Sequence, residues 1–84
     1  FPNPFNPSTT ISFTVPDAHQ VELEVFDLLG RRVQSLVAGS LPAGSHSVVW
    51  DGSDQEGGRV ATGVYLYRLR VQGIEYTRKM TLVE

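Results

Sequence analysis

The chain has 84 residues, room for one domain and one core but not for a deep ligand cavity as well, because a chain this short buries only roughly 60–65% of the surface its unfolded form exposes. Seven Lys/Arg against nine Asp/Glu leave a formal net charge of −2, too slight an imbalance for nucleic acid or an anionic membrane to be the main partner. There is no cysteine, which excludes disulfides and a Cys-ligated zinc, and no apolar run approaches the ~20 residues of a membrane-spanning helix.

The chain opens on Phe1 rather than Met, as expected of a fragment or processed product, with any targeting segment upstream. Pro2, Pro4 and Pro7 make residues 1–8 an extended, polyproline-like lead-in, since each proline fixes its own φ and disfavours helix in the residue before it. Phe1 and Phe5 are large apolar groups on this stiff segment. They are expected to dock on the domain or on a neighbouring copy, and the segment reads equally as a linker. From Thr9 the alternation of Ile11, Phe13 and Val15 with Thr10, Ser12 and Thr14 predicts a half-buried strand, closed by the turn residues Pro16-Asp17. Val21, Leu23 and Val25 alternate with Glu22 and Glu24 in a second strand, and Asp27-Leu28-Leu29-Gly30 reads as a tight turn. Arg32–Val37 is a third, weaker strand, followed by a loop over 38–44 marked by Gly39, Pro42 and Gly44.

His46, Val48 and Trp50 share one face of a fourth strand, Asp51–Gly58 is a polar loop, and Arg59–Thr62 reads as a short edge strand. Gly63–Val71 carries the strongest strand pattern: Tyr65, Tyr67, Leu69 and Val71 on one face, Val64, Leu66, Arg68 and Arg70 on the other. Gln72-Gly73 makes a hairpin turn into a last strand over 74–83, with Tyr76, Met80 and Leu82 inward. Short strands separated by Gly/Pro turns predict an all-β fold, an immunoglobulin-like antiparallel β-sandwich of about seven strands, as a single domain over 9–84.

The residues offer little to catalysis. His46 fits a partly buried strand residue, His19 lies in a turn, and no serine sits in a nucleophile elbow. Glu22 and Glu24 on one strand face could act as an acid–base pair in a cleft, but a solvated outer face explains them better. Arg68 and Arg70 fit a face opposing carboxylates across strands, or a docking patch for an acidic partner. The loop Asp51-Gly52-Ser53-Asp54-Gln55-Glu56-Gly57 is the one candidate for calcium, through Asp51, Asp54 and Glu56. Its order departs from an EF-hand, with Ser53 and Gln55 replacing Asp/Asn and Glu56 standing where Gly belongs. No other cofactor is expected.

Five motifs together resemble a known family. Phe1–Ile11 (FPNPFNPSTTI) is similar to the opening of the C-terminal sorting domains of type IX secretion cargo, the Por secretion system. Val25–Arg31 (VFDLLGR), Pro42–His46 (PAGSH), Gly63–Leu69 (GVYLYRL) and Lys79-Met80 resemble further motifs of that family, in its order. Trp50-Asp51-Gly52 followed by Gly57, Val60 and Gly63-Val64-Tyr65 is similar to the immunoglobulin-like domain of the flagellar hook-capping protein; the long 51–62 loop departs from the sorting pattern. The first resemblance implies a non-catalytic sorting and anchoring module of an exported bacterial protein. Its partners would be proteins of the outer-membrane secretion machinery, and its place the cell surface or beyond. Gly63, Val64, Tyr65, Arg68, Lys79 and Met80 match family positions and are the candidate recognition residues. The alternatives are a self-assembling extracellular filament subunit, with Phe1 and Phe5 as its assembly arm, and a hook-cap-like or adhesive module.

Overall fold

A computed structural model describes residues 8–83. Within them run six strands: β1 (Thr9–Val15), β2 (His19–Phe26), β3 (Arg32–Leu41), β4 (Gly44–Trp50), β5 (Gly63–Val71) and β6 (Ile74–Leu82). Every pairing is antiparallel. A two-stranded sheet, β1-β4, faces a four-stranded sheet of order β3-β2-β5-β6. This is the expected all-β sandwich.

The period-two pattern sets which side chains meet. Ile11, Phe13 and Val15 of β1 point inward over Val21 and Leu23 of β2 and Leu69 and Val71 of β5, forming one core cluster. Val25, Trp50, Tyr65 and Leu82 form a second at the other end of the sandwich, and Leu36 and Met80 pack against both. Val21, Leu23, Val25, Trp50 and Leu82 are fully buried. Trp50 packs edge-on against Tyr65, with ring centroids 5.0 Å apart, the favoured arrangement for two aromatic quadrupoles. Gln72 (φ 55°) and Gly73 (φ 77°) give the β5–β6 hairpin two successive left-handed residues, the two-residue turn whose twist matches that of the strands.

Three boundaries differ from expectation. Arg59–Thr62 is not a strand; its ladder pairing is the isolated Arg59–Ser53 bridge, so the described residues form six strands where about seven were expected. The segment is held as a loop instead. The Trp50 indole N–H donates to the Ser53 carbonyl (2.9 Å) and the Val60 N–H to Gly52 (2.9 Å). Next, β3 does not stop at Val37 but runs to Leu41, with Gly39 paired to Val21 on the ladder, leaving a turn of only Pro42-Ala43. The β2–β3 ladder shifts register between Leu23 and Glu24 and again between Val25 and Phe26. Each shift breaks the alternation in β3, letting Val33, Leu36 and Val37 all reach the core, and this is why its pattern read as weak.

Finally, Tyr76 has the inward parity of β6 but is 50% exposed, with Ile74 at 53%. The two-stranded sheet is narrower than its partner. Among the described residues its one hydrogen-bonded bridge toward β6 is Ser8–Val83, beside buried Leu82, and the start of β6 lies away from it.

Candidate interaction surface

The outward face of the four-stranded sheet carries a network of charged residues. Antiparallel register places Glu24 opposite Arg68 and Glu22 opposite Arg70, and across the next ladder Arg70 opposite Glu75. The expected opposition of carboxylates and guanidinia is therefore real, but Glu24 is not on a solvated face. Its side chain is 12% exposed. One oxygen accepts from Arg68 Nη2 (2.7 Å) and the other from Arg32 Nη1 (3.0 Å). These charged donors, Arg68 first, hold the Glu24 carboxyl below its ordinary range against the opposing effect of burial. Arg68 also lies over the Phe26 ring, 4.7 Å from its centroid; its Nε is buried without a hydrogen-bond partner among the described residues, with Glu75 Oε2 4.0 Å away. Arg70 donates to Glu75 (2.9 Å) and lies 3.5 Å from Glu22, which raises its already high basicity.

Next to this network is an apolar patch that the sequence reading overlooked. In the turn after β2, the Gly30 N–H donates to the Asp27 carbonyl, and the Asp27 carboxylate accepts from the N–H groups of Leu29 and Arg31 and from Arg31 Nε. The Arg31 N–H bond contributes most to holding the Asp27 pKa below its ordinary value. Leu28 and Leu29 occupy the centre of this turn and are 62% and 78% exposed. The signal was present in the sequence: residues at the centre of a turn have no core to face, so two leucines there are exposed. Phe26 and Leu66, paired across β2 and β5, line a shallow hollow beside them with Gly30, Arg68, Glu75 and Thr77.

The structure separates the six candidate recognition residues into four kinds. Tyr65 and Met80 belong to the core. Arg68 belongs to the ion network, and Gly63 (φ 145°) begins β5 opposite Leu82. Val64 and Lys79 are exposed on the outward face. Burial, and next the charge of Asp27, push the pKa of the Tyr65 hydroxyl above its ordinary value, and that hydroxyl donates to the Ala61 carbonyl (2.5 Å). Tyr65→Phe is expected to lower stability by about 1 kcal/mol in denaturant unfolding. A loss of partner binding with unchanged stability would instead make Tyr65 a contact residue. Phe1 and Phe5 lie outside the described residues.

The loop proposed for calcium uses two of its carboxylates, Asp51 and Asp54, internally. Asp51 Oδ1 accepts from the Ser53 N–H (3.0 Å) and hydroxyl (2.5 Å), and the hydroxyl bond contributes most to holding the Asp51 pKa below its ordinary value. Asp54 Oδ1 accepts from the N–H groups of Glu56 and Gly58, both at 2.9 Å. Among the described residues no three His, Cys, Asp or Glu side chains gather as a metal ion would need, so Asp51, Asp54 and Glu56 do not converge. His46 is half-buried, as expected; it stacks on Phe13 at 5.6 Å and its Nε2–H donates to the Pro42 carbonyl (2.8 Å). His19 Nδ1 lies 3.3 Å from the neighbouring Gln20 carbonyl. No described helix is long and apolar enough to cross a membrane.

The family model described as the FlgD Ig-like domain matches residues 5–74. FlgD from P. aeruginosa is 28% identical with a TM-score of 0.71, over 90% of this chain and 59% of that one. FlgD from Xanthomonas campestris gives the same identity and TM-score over 93% of this chain and 56% of that one. The chain thus spans less than two thirds of each of these structures. No curated protein matches it. Of the two resemblances drawn from the motifs, the comparisons support the hook-capping one rather than the type IX sorting domain. The chain belongs to the FlgD Ig-like domain family.

Proposed function

We propose that this domain is a non-catalytic, immunoglobulin-like interaction module of an exported assembly, related in role to the corresponding part of FlgD, whose Xanthomonas structure is described in terms of hook capping essential for flagellar assembly. The family match over residues 5–74 is the observation that carries this reading. The outward face suits it. The exposed leucines of the β2–β3 turn, Phe26 and Leu66 supply an apolar centre, and the Glu24–Arg68–Arg32 network stiffens the sheet beneath.

The motifs shared with sorting domains favour a second reading, an address label read by outer-membrane secretion proteins, and a single deletion separates the two. Removing the codons for residues 8–83 from the parent gene should leave the protein exported but its assembly defective under electron microscopy. Normal assembly overturns the hook-cap-like reading. Retention of an intact upstream protein in the periplasm establishes the sorting reading in its place.

A further inference from the structure

Charge is spread unevenly over the strands. The seven Lys/Arg and nine Asp/Glu all fall outside residues 33–50. The four-stranded sheet is bordered by β3 and β6. A border strand presents unpaired N–H and C=O groups, and charge or proline on it discourages pairing with another chain. β6 carries Glu75, Arg78 and Lys79, whereas β3 has no proline and carries charge only at its first residue, Arg32. The first part of β3 is protected in another way. The Gln55 N–H donates to the Val33 carbonyl (3.0 Å), Gln34 Nε2 donates to the Asp54 carbonyl (2.9 Å), and both register shifts against β2 fall before Val37. From Val37 to Leu41 the ladder to β2 is regular, and no described strand pairs with the other edge. A regular, uncharged, proline-free edge is a template for an identical segment.

We propose that residues 37–41 pair antiparallel with the same residues of a second copy of the chain, about a two-fold axis at Gly39, joining two four-stranded sheets into one of eight strands. In this register Val37 of each copy faces Leu41 of the other. Both are half-buried and pack against the core cluster, so the apolar rows of the two copies become continuous. Ala38 faces Ser40 on the outward side, where both are small and exposed. Gly39 meets its own copy on the axis, and a Cβ there would touch nothing within 4 Å, so the chain's own atoms do not crowd the junction. No charge meets a like charge. Two-fold pairing about the centre of β6 would instead set Arg78 against Arg78, which selects β3 as the self-pairing edge.

The edge lies out of reach of residues 1–7. Gly39, Val21, Val71 and Ile74 are successive partners across the sheet, so Gly39 is three strands across and nine residues along from Val83, which bridges Ser8. At ~4.8 Å per strand and ~3.3 Å per residue that separation is roughly 30 Å. Seven residues span at most about 25 Å however they run. The contact between copies is isologous and closes at a dimer, because each β3 is used up in it and the charged β6 borders both ends of the joined sheet. It does not depend on the hook-cap-like reading.

The chain has no cysteine, so each introduced thiol is unique. Two differently tagged full chains, one Ala38→Cys and one Ser40→Cys, are mixed under mild oxidation. Positions 38 and 40 of opposite copies face each other at about 5 Å, whereas like positions lie diagonally at about 7–8 Å. The mixture should therefore form a disulfide-linked heterodimer at least ~10-fold faster than either chain forms its homodimer. Equal rates, or no cross-linking above a Val49→Cys control on the exposed face of β4, overturn the proposal. In light scattering the mass of the unsubstituted chain should rise with concentration to that of a dimer; a monomer at millimolar concentration overturns the proposal. Ala38→Lys/Ser40→Lys sets like charges at both symmetry-related contacts, with position 38 opposite Glu22 of its own chain. It should keep the melting temperature and weaken association by at least ~10-fold. Ala38→Lys/Ser40→Glu sets opposite charges at the same contacts and should restore association. Unchanged association in the first variant, or no restoration in the second, overturns the proposal.

Discussion

Trp50→Ala is expected to be the most damaging single substitution in the described chain, at about 3–5 kcal/mol, the usual range for removing a fully buried large aromatic. Trp50 is fully buried, packs edge-on against Tyr65 within the cluster of Val25 and Leu82, and ties the 51–62 loop down through its indole N–H to Ser53. Losing it opens a cavity, removes the aromatic contact and leaves the Ser53 carbonyl without this donor. A domain of this size has roughly 4–13 kcal/mol of stability in total, so the variant should melt at least ~12 °C lower or be unfolded at ambient temperature. Trp50→Phe retains a ring but not the N–H and should fall between the two. A cost below ~1 kcal/mol for Trp50→Ala, measured by denaturant unfolding, would mean that this cluster does not hold the sandwich together.

The second large effect concerns Glu24. Glu24→Gln keeps the shape but removes the charge that faces Arg68 and Arg32. Removing one partner of a fully buried pair costs roughly 3–5 kcal/mol, and an exposed pair is worth roughly 0–1. The side chains of Glu24, Arg68 and Arg32 are 12%, 26% and 50% exposed, so a loss of about 2 kcal/mol is expected. The pH dependence has a definite sign. The folded carboxyl lies below its ordinary value near 4.5, so between the folded and unfolded values the unfolded state binds more protons and stability rises with pH. The contribution is fully present above about pH 5 and disappears as pH falls through the folded value. Thermal melts from pH 7 to pH 3 should therefore converge for wild type and Glu24→Gln at the acid end. A constant gap would show that the effect is steric rather than ionic. Asp51, also lowered by its hydrogen bonds, keeps some acid sensitivity in the variant.

Most of the strand architecture was legible in the chain because alternation reports directly on half-burial. Ile11/Phe13/Val15, Val21/Leu23/Val25 and Tyr65/Leu69/Val71 each face the core as their spacing predicts. The turns were legible where backbone chemistry demands them, at Asp27–Gly30 and Gln72-Gly73. The motifs led to a family, and the comparisons selected the second of the two resemblances over the first. The two resemblances overlap at Gly63-Val64-Tyr65, where Tyr65 serves the sandwich core, so that motif does not separate them.

What the pattern could not convey depends on which strands become neighbours. Glu24 has the parity of a solvated residue, and it is buried because β3 and β5 each bring an arginine over it. Tyr76 has the parity of a core residue, and it is exposed because the facing sheet has only two strands. Bulges in the β2–β3 ladder disguised β3, and the bonds of Trp50 and Asp54 made the 51–62 segment a loop rather than a seventh strand. Parity is a property of one strand and is written in its residues. Cover is a property of the sheet opposite and exists only after long-range pairing.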